Sequence, residues 1–100
     1  HRNDVDGYAA ALTYFDEQLP RIAGKLRQDD LLLITADHGC DPGTPSTDHS
    51  REYIPLLIAG EKLPVDDGTN FGTRSTFADI GQTVLSWLDI KPEISGTPTF

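Results

Sequence analysis

Leu31-Leu32-Leu33-Ile34-Thr35-Ala36-Asp37-His38-Gly39-Cys40-Asp41-Pro42-Gly43-Thr44-Pro45-Ser46-Thr47-Asp48-His49 is the stretch on which the fold turns. Leu31 to Thr35 are apolar or β-branched, with Asp29 and Asp30 before them and Gly39 after them, a pattern that predicts a short buried strand. Continuous apolar runs of this kind are what parallel strands covered on both faces show. Asp37 and His38 follow directly at the strand's carboxyl end, and Asp48 and His49 come after a loop of turn formers. Carboxyl ends of strands are where open α/β sheets carry their sites.

Before this strand, Val5, Tyr8, Leu12, Phe15, Leu19, Ile22 and Leu26 recur at three- and four-residue steps, one face of an amphipathic helix over about Asp4 to Arg27. The opposite face carries Asp16, Glu17, Arg21, Lys25 and Arg27. Pro20 lies inside this pattern, and an interior proline removes a hydrogen bond and crowds the preceding turn at about 3 kcal/mol, so a kink or two short helices are expected. A helix running at once into a buried strand is half of a βαβ unit, which places the chain in the α/β class.

After the strand, residues 37–53 form a loop long enough to be functional in a compact domain. Ile54 to Ala59 read as a second strand with Pro55 at its start, where a missing donor is tolerated. Residues 61–74 mix turn formers without periodicity and are expected along the surface. A further helix is expected from Ser75 or Thr76, either of which can cap it, with Phe77, Ile80, Val84, Trp87 and Leu88 on one side and an end before Pro92. Ile94 to Phe100 is read as an edge strand weakened by Gly96 and Pro98. No repeat, low-complexity segment or domain boundary stands out.

Composition narrows the function. With 100 residues and 37% hydrophobic content, the chain suffices for one small globular unit. A formal charge of -8 with only eight Lys and Arg, scattered along the chain, argues against nucleic acid or an anionic membrane as partner. The single cysteine makes no internal disulfide, which suits a reducing cytoplasm. No signal peptide or membrane-span-length apolar run is visible. The first residue is His1 and the chain enters a helix almost at once, so it reads as a piece of a longer protein.

Carboxylate beside imidazole is a donor pair suited to Mn, Zn or Fe. Asp37 and His38 read equally well as ligands of one ion or as a turn-capping carboxylate beside a half-buried imidazole. His49 taken alone reads first as a solvated loop side chain. Asp41 and Asp48 are candidates to orient a ligating imidazole, although loop aspartates commonly make turns. Thr44, Ser46, Thr47 and Ser50 have no organised base nearby and read as loop formers rather than nucleophiles. Cys40, without a partner at ligand spacing, reads as a small packing residue. Arg51 and Arg74 have the fork that suits a phosphate, with surface salt bridging as the plainer role.

The string Ile34-Thr35-Ala36-Asp37-His38-Gly39 resembles the metal motif of the alkaline phosphatase superfamily, which also includes sulfatases and cofactor-independent phosphoglycerate mutases. Residues 35–57 resemble the signature of the bacterial phosphopentomutase family in particular, as do His1-Arg2-Asn3-Asp4 with Gly7-Tyr8-Ala9, and Thr76-Phe77-Ala78-Asp79-Ile80-Gly81. Phosphoglycerate mutases continue after Asp-His-Gly with Asn and acidic residues, whereas this chain has Cys40, Asp41 and Pro42.

The resemblance implies a three-layer α/β/α core with a mostly parallel sheet, of which residues 1–100 are the C-terminal segment, without the cap domain and the N-terminal part of the core. It implies a pair of Mn²⁺ ions, one held by Asp37 and His38 and the other by His1 and His49. The phosphorylated threonine and further aspartate ligands would lie upstream, so this segment alone is expected to be inactive. The implied reaction of the whole protein interconverts α-ribose 1-phosphate and ribose 5-phosphate, and the deoxy sugars, through a bisphosphate. Its partner is then a small pentose phosphate, with no nucleic acid or membrane. A phosphatase or phosphoglycerate mutase of the same superfamily remains the alternative enzyme, and an independent interaction domain the alternative outside enzymes.

Overall fold

The computed structural model describes residues 2–91 and 94–100. They gather into two compact units, residues 1–61 and 62–100. The first carries a helix α1 (Val5–Ala23) and two strands, β1 (Leu32–Thr35) and β2 (Leu56–Ala59); the second carries helix α2 (Ala78–Trp87).

Helix α1 starts where Asp4, in extended conformation, accepts the backbone N–H of Gly7 on its side chain at 2.9 Å. That bond satisfies one of the orphan donors of the first turn. The helix runs through Pro20 as one element and closes at Gly24, whose N–H reaches the Pro20 carbonyl at 2.9 Å. The helix is thus not split in two at Pro20, which falls in its last turn. Arg27 and Asp30 then close the link to β1, with an N–H-to-carboxylate bond of 2.8 Å and a guanidinium–carboxylate pair at 3.0 Å.

Strands β1 and β2 pair antiparallel, in the register Leu32↔Ala59, Leu33↔Ile58, Ile34↔Leu57 and Thr35↔Leu56. This corrects the parallel reading of residues 31–35 as far as the described sheet goes. An apolar run reports burial and not direction, and residues 36–55 return without the crossover helix that a parallel neighbour requires. β2 alternates, with Leu56 and Ile58 half-buried and Leu57 and Ala59 exposed. It begins two residues later than read, because Ile54 and Pro55 stay outside the ladder.

Among the described residues no apolar side chain is fully buried. Helix α1 leaves its stripe open, with Leu12 57% and Val5 54% exposed. An apolar stripe of this kind is a face made for covering.

Burial in the second unit is polar. Asp79, Gln82 and Thr83 of α2 are its fully buried side chains, and they fasten the tail. Asp79 Oδ1 accepts the Thr97 N–H at 2.8 Å, and the Thr83 hydroxyl accepts the Thr99 N–H at 2.9 Å while donating to the Asp79 carbonyl at 2.7 Å. Gln82 donates its amide to the Ile94 carbonyl. Arg74 places Nε 3.3 Å from Asp79 Oδ2 and donates from Nη2 to the carbonyls of Thr97 and Pro98. Its role is thus structural within this unit. Gly96, at φ +118, lies so close to the first turn of α2 that a Cβ would meet the Ala78 carbonyl carbon at 2.7 Å. Phe100 sets its ring against Trp87 edge-on, with centroids 6.2 Å apart. The tail read as an edge strand is a strap held by side chains.

Helix α2 starts later and ends earlier than read. Thr76 accepts the Ala78 N–H at 3.2 Å, which places the hydroxyl just ahead of the helix. At the other end Asp89 takes φ 53, its N–H reaches the Ser86 carbonyl at 3.1 Å, and the Ile90 N–H reaches that of Leu85 at 2.9 Å. These paired bonds are the Schellman ending, here with aspartate in the place glycine usually fills.

The carboxyl of Asp79 is held below the usual carboxylate range, first by the Thr97 N–H and then by the Arg74 cation, against the opposing pull of burial. A depressed folded pKa contributes stability that is complete above the unfolded value of about 3.9 and is lost as pH falls through the folded one. Asp79→Asn in the full-length protein is therefore expected to lower the thermal midpoint at pH 7, with the gap to wild type closing below about pH 4. Melting curves across that range check it; a gap independent of pH would count against the charge as the cause.

Candidate metal centre

The loop between β1 and β2 is folded on itself by an isolated antiparallel bridge, Gly39↔Ser50. The Ser50 N–H reaches the Gly39 carbonyl at 3.3 Å, and the Ser50 hydroxyl accepts the Asp41 N–H at 2.7 Å. Residues preceding each member of such a bridge project to the same face and are diagonal neighbours, within reach of ring side chains. His38 and His49 are those residues. Their imidazoles stack with centroids 3.8 Å apart and planes 11° from parallel.

Gly39 makes the bridge possible. A Cβ there would stand 2.6 Å from the Glu52 carbonyl oxygen, 2.7 Å from that of Ser50 and 2.8 Å from the Glu52 nitrogen. All three are backbone atoms and cannot rotate aside, so glycine is the residue this approach admits.

Within the loop, Asp41 Oδ1 accepts the Gly43 N–H at 2.8 Å, and the Asp41 carbonyl accepts the Thr44 hydroxyl at 3.0 Å. Ser46 accepts the Asp48 N–H at 3.1 Å, and Asp48 Oδ1 accepts the backbone N–H of His49 at 2.7 Å. Both aspartates thus make turns, and Thr44, Ser46 and Ser50 are loop formers as their composition suggested. Cys40 is a half-buried free thiol.

Asp37 and His38 stand just beyond β1. His38 Nδ1 lies 2.8 Å from the Gly39 carbonyl, and Nε2 lies 3.8 Å from Asp37 Oδ1. An Nδ1–H donated to a backbone carbonyl leaves the Nε2 lone pair facing outward, the arrangement by which ligating histidines are usually oriented. Bonds of about 2.1 Å in tetrahedral geometry separate two donors by about 3.4 Å, so this pair needs only slight closure to share an ion. The Asp37 side chain is 92% exposed. The exposure leaves Asp37 open to an incoming cation.

Parallel imidazoles cannot both aim their in-plane lone pairs at one ion over bonds that short. As they stand, His38 and His49 therefore do not share one ion. Among the described residues no group of three or more His, Cys, Asp or Glu side chains converges on one point. What the segment offers is an incomplete donor set of the right chemistry. His1, the remaining candidate from the sequence, lies outside the described residues.

Residues 1–92 match the family described as the metalloenzyme superfamily. The chain belongs to that superfamily. A family so described is metal-dependent, and its α/β class agrees with the helices and strands found here. The chain is 59% identical over 96 residues to a phosphopentomutase of Lachnoclostridium phytofermentans, and 58% identical over 96 residues to one of Acetivibrio thermocellus. To the phosphopentomutase of Carboxydothermus hydrogenoformans it is 57% identical over 94 residues. These alignments cover 94–96% of this chain and 24% of each relative, so the chain spans about a quarter of the length of the curated relatives it matches.

Three residues that build the site have structural roles that their residue types did not announce. Gly39 and Ser50 form the bridge, and their positions next to two histidines were the available clue. Asn3 donates its side-chain amide to the Thr44 carbonyl across 41 residues of sequence, a contact no local pattern announces.

Proposed function

We propose that the full-length protein carrying this segment is a cytoplasmic phosphopentomutase that interconverts α-ribose 1-phosphate and ribose 5-phosphate, and the 2-deoxyribose phosphates. The observation that carries the reading is the stacked pair His38 and His49 beside Asp37, in a chain 59% identical to a phosphopentomutase. On this reading residues 1–100 are the C-terminal segment of a three-layer core with a mostly parallel sheet, to which β1 and β2 contribute an antiparallel pair.

Asp37 and His38 would hold one Mn²⁺, and His49 with His1 the other. Cations held there would supply charge stabilisation for a phosphoryl group. The residues of this chain orient the donors. The Gly39 carbonyl fixes the His38 tautomer, and the Gly39↔Ser50 bridge keeps the two imidazoles alongside each other. A threonine upstream of this segment would carry the phosphoryl group as it passes through a bisphosphorylated sugar.

Phosphorus NMR of the full-length protein with Mn²⁺, ribose 5-phosphate and a trace of sugar bisphosphate is expected to show a new anomeric phosphate signal and no inorganic phosphate. Inorganic phosphate alone would make the protein a hydrolase of the same superfamily. No reaction with Mn²⁺ present would reject the metal reading altogether.

A further inference from the structure

Asn3 is exposed, yet it adopts φ 54, the left-handed region that non-glycine residues seldom occupy and that asparagine tolerates best. Its side chain spans 41 positions to donate to the Thr44 carbonyl. Thr44 is the hub of the loop: its N–H and hydroxyl both reach the Asp41 carbonyl, at 3.2 and 3.0 Å, and the Asp41 N–H is held in turn by Ser50. Ser50 is the bridge partner next to His49. One amide therefore connects the chain just ahead of α1 to a bonded series that runs through Asp41 and Ser50 to Gly39, beside both His49 and His38.

We infer that Asn3 is a positioning residue, which ties the chain start to the loop that carries His38 and His49 and so sets the geometry of both proposed cation positions. The inference rests on the proposed metal reading and adds a residue to it. Asp4 already caps α1 through Gly7, so the Asn3 amide is not needed to start the helix. Its bond is made to the loop alone.

The test compares wild type, Asn3→Gly and Asn3→Ala in the full-length protein. Glycine keeps the left-handed backbone accessible and removes only the amide, while alanine removes the amide and disfavours the backbone as well. Asn3→Gly keeps the fold, because the residue is exposed and glycine takes its left-handed backbone without strain. Titration with Mn²⁺, followed by calorimetry and by electron paramagnetic resonance, is expected to show the affinity at both positions reduced by about tenfold or more in both variants. Turnover is expected to fall at limiting Mn²⁺ and recover at saturating Mn²⁺, with KM for the sugar phosphate unchanged. A purely structural role would instead lower thermal stability and leave both affinities where they were, which overturns the inference, as would wild-type isotherms from both variants. A wild-type protein that takes up no Mn²⁺ removes the underlying metal reading, and the inference with it.

Discussion

His49→Ala in the full-length protein is expected to bind one fewer tightly held Mn²⁺ and to turn over more than about 10²-fold more slowly. The magnitude follows from a comparison: losing a group that merely orients a ligand costs about 10- to 100-fold, and losing the ligand itself removes the bond that such a group supports. The cause can be separated from unfolding, because His49 is exposed, and substitution at exposed positions away from special features changes stability by about 0.5 kcal/mol or less. The metal-free variant should therefore melt close to metal-free wild type. Metal content by elemental analysis, read beside the rate, checks the assignment. One ion lost with the fold intact is the expected pattern; unchanged metal and unchanged rate would remove His49 from the site. The stacked geometry adds a further expectation. On the proposed assignment, in which His38 holds its own ion, His49→Ala should leave the Asp37 and His38 position occupied.

How far this could be read from the residues differs by element. The α1 stripe from Val5 to Ile22 was legible because periodicity at 3.6 residues leaves few alternatives. Its last turn was not, since Pro20 signals a break whose cost depends on where in the helix it falls. The end of α2 depends on Asp89 in the left-handed region, a conformation that asparagine or glycine would have announced and aspartate does not. Strand direction was illegible because Leu32 to Thr35 encode burial, while direction is set by the connection. The tail from Ile94 to Phe100 was misread because its bonds run to side chains of α2, Asp79 and Thr83, rather than to a backbone ladder.

At the candidate site, Asp37, His38 and His49 were legible by residue type and by their place after β1. Their mutual arrangement was not, because it depends on a backbone bridge between residues that carry no chemistry of their own. Asn3 and Thr44 were hidden for the same reason: a contact between positions so far apart leaves no trace in any short window.

Gly39→Ala should show how much of the site depends on that bridge. The added methyl meets backbone atoms of Ser50 and Glu52 at 2.6 to 2.8 Å, distances that real side chains do not tolerate, and the obstacle is main chain rather than a rotatable side chain. Relief requires the segments at 39 and 50–52 to part, at about 1–3 kcal/mol for overpacking of this kind. Parting them releases the Ser50 N–H from the Gly39 carbonyl and the Asp41 N–H from the Ser50 hydroxyl, and the imidazoles lose the relation that stacks them. The full-length variant is expected to melt at lower temperature and to bind Mn²⁺ at least about tenfold more weakly at both positions. Gly43→Ala is the matched comparison in the same loop, because there the nearest atom to a new Cβ is the Asp41 side-chain oxygen at 3.1 Å, which can give way. It should bind Mn²⁺ close to wild type. If the variants behave alike, the loop responds to any added methyl and the bridge is not what aligns His38 with His49; if only Gly39→Ala loses both ions, the small residue of the Asp-His-Gly string is present for backbone approach, and the metal site is built by that approach.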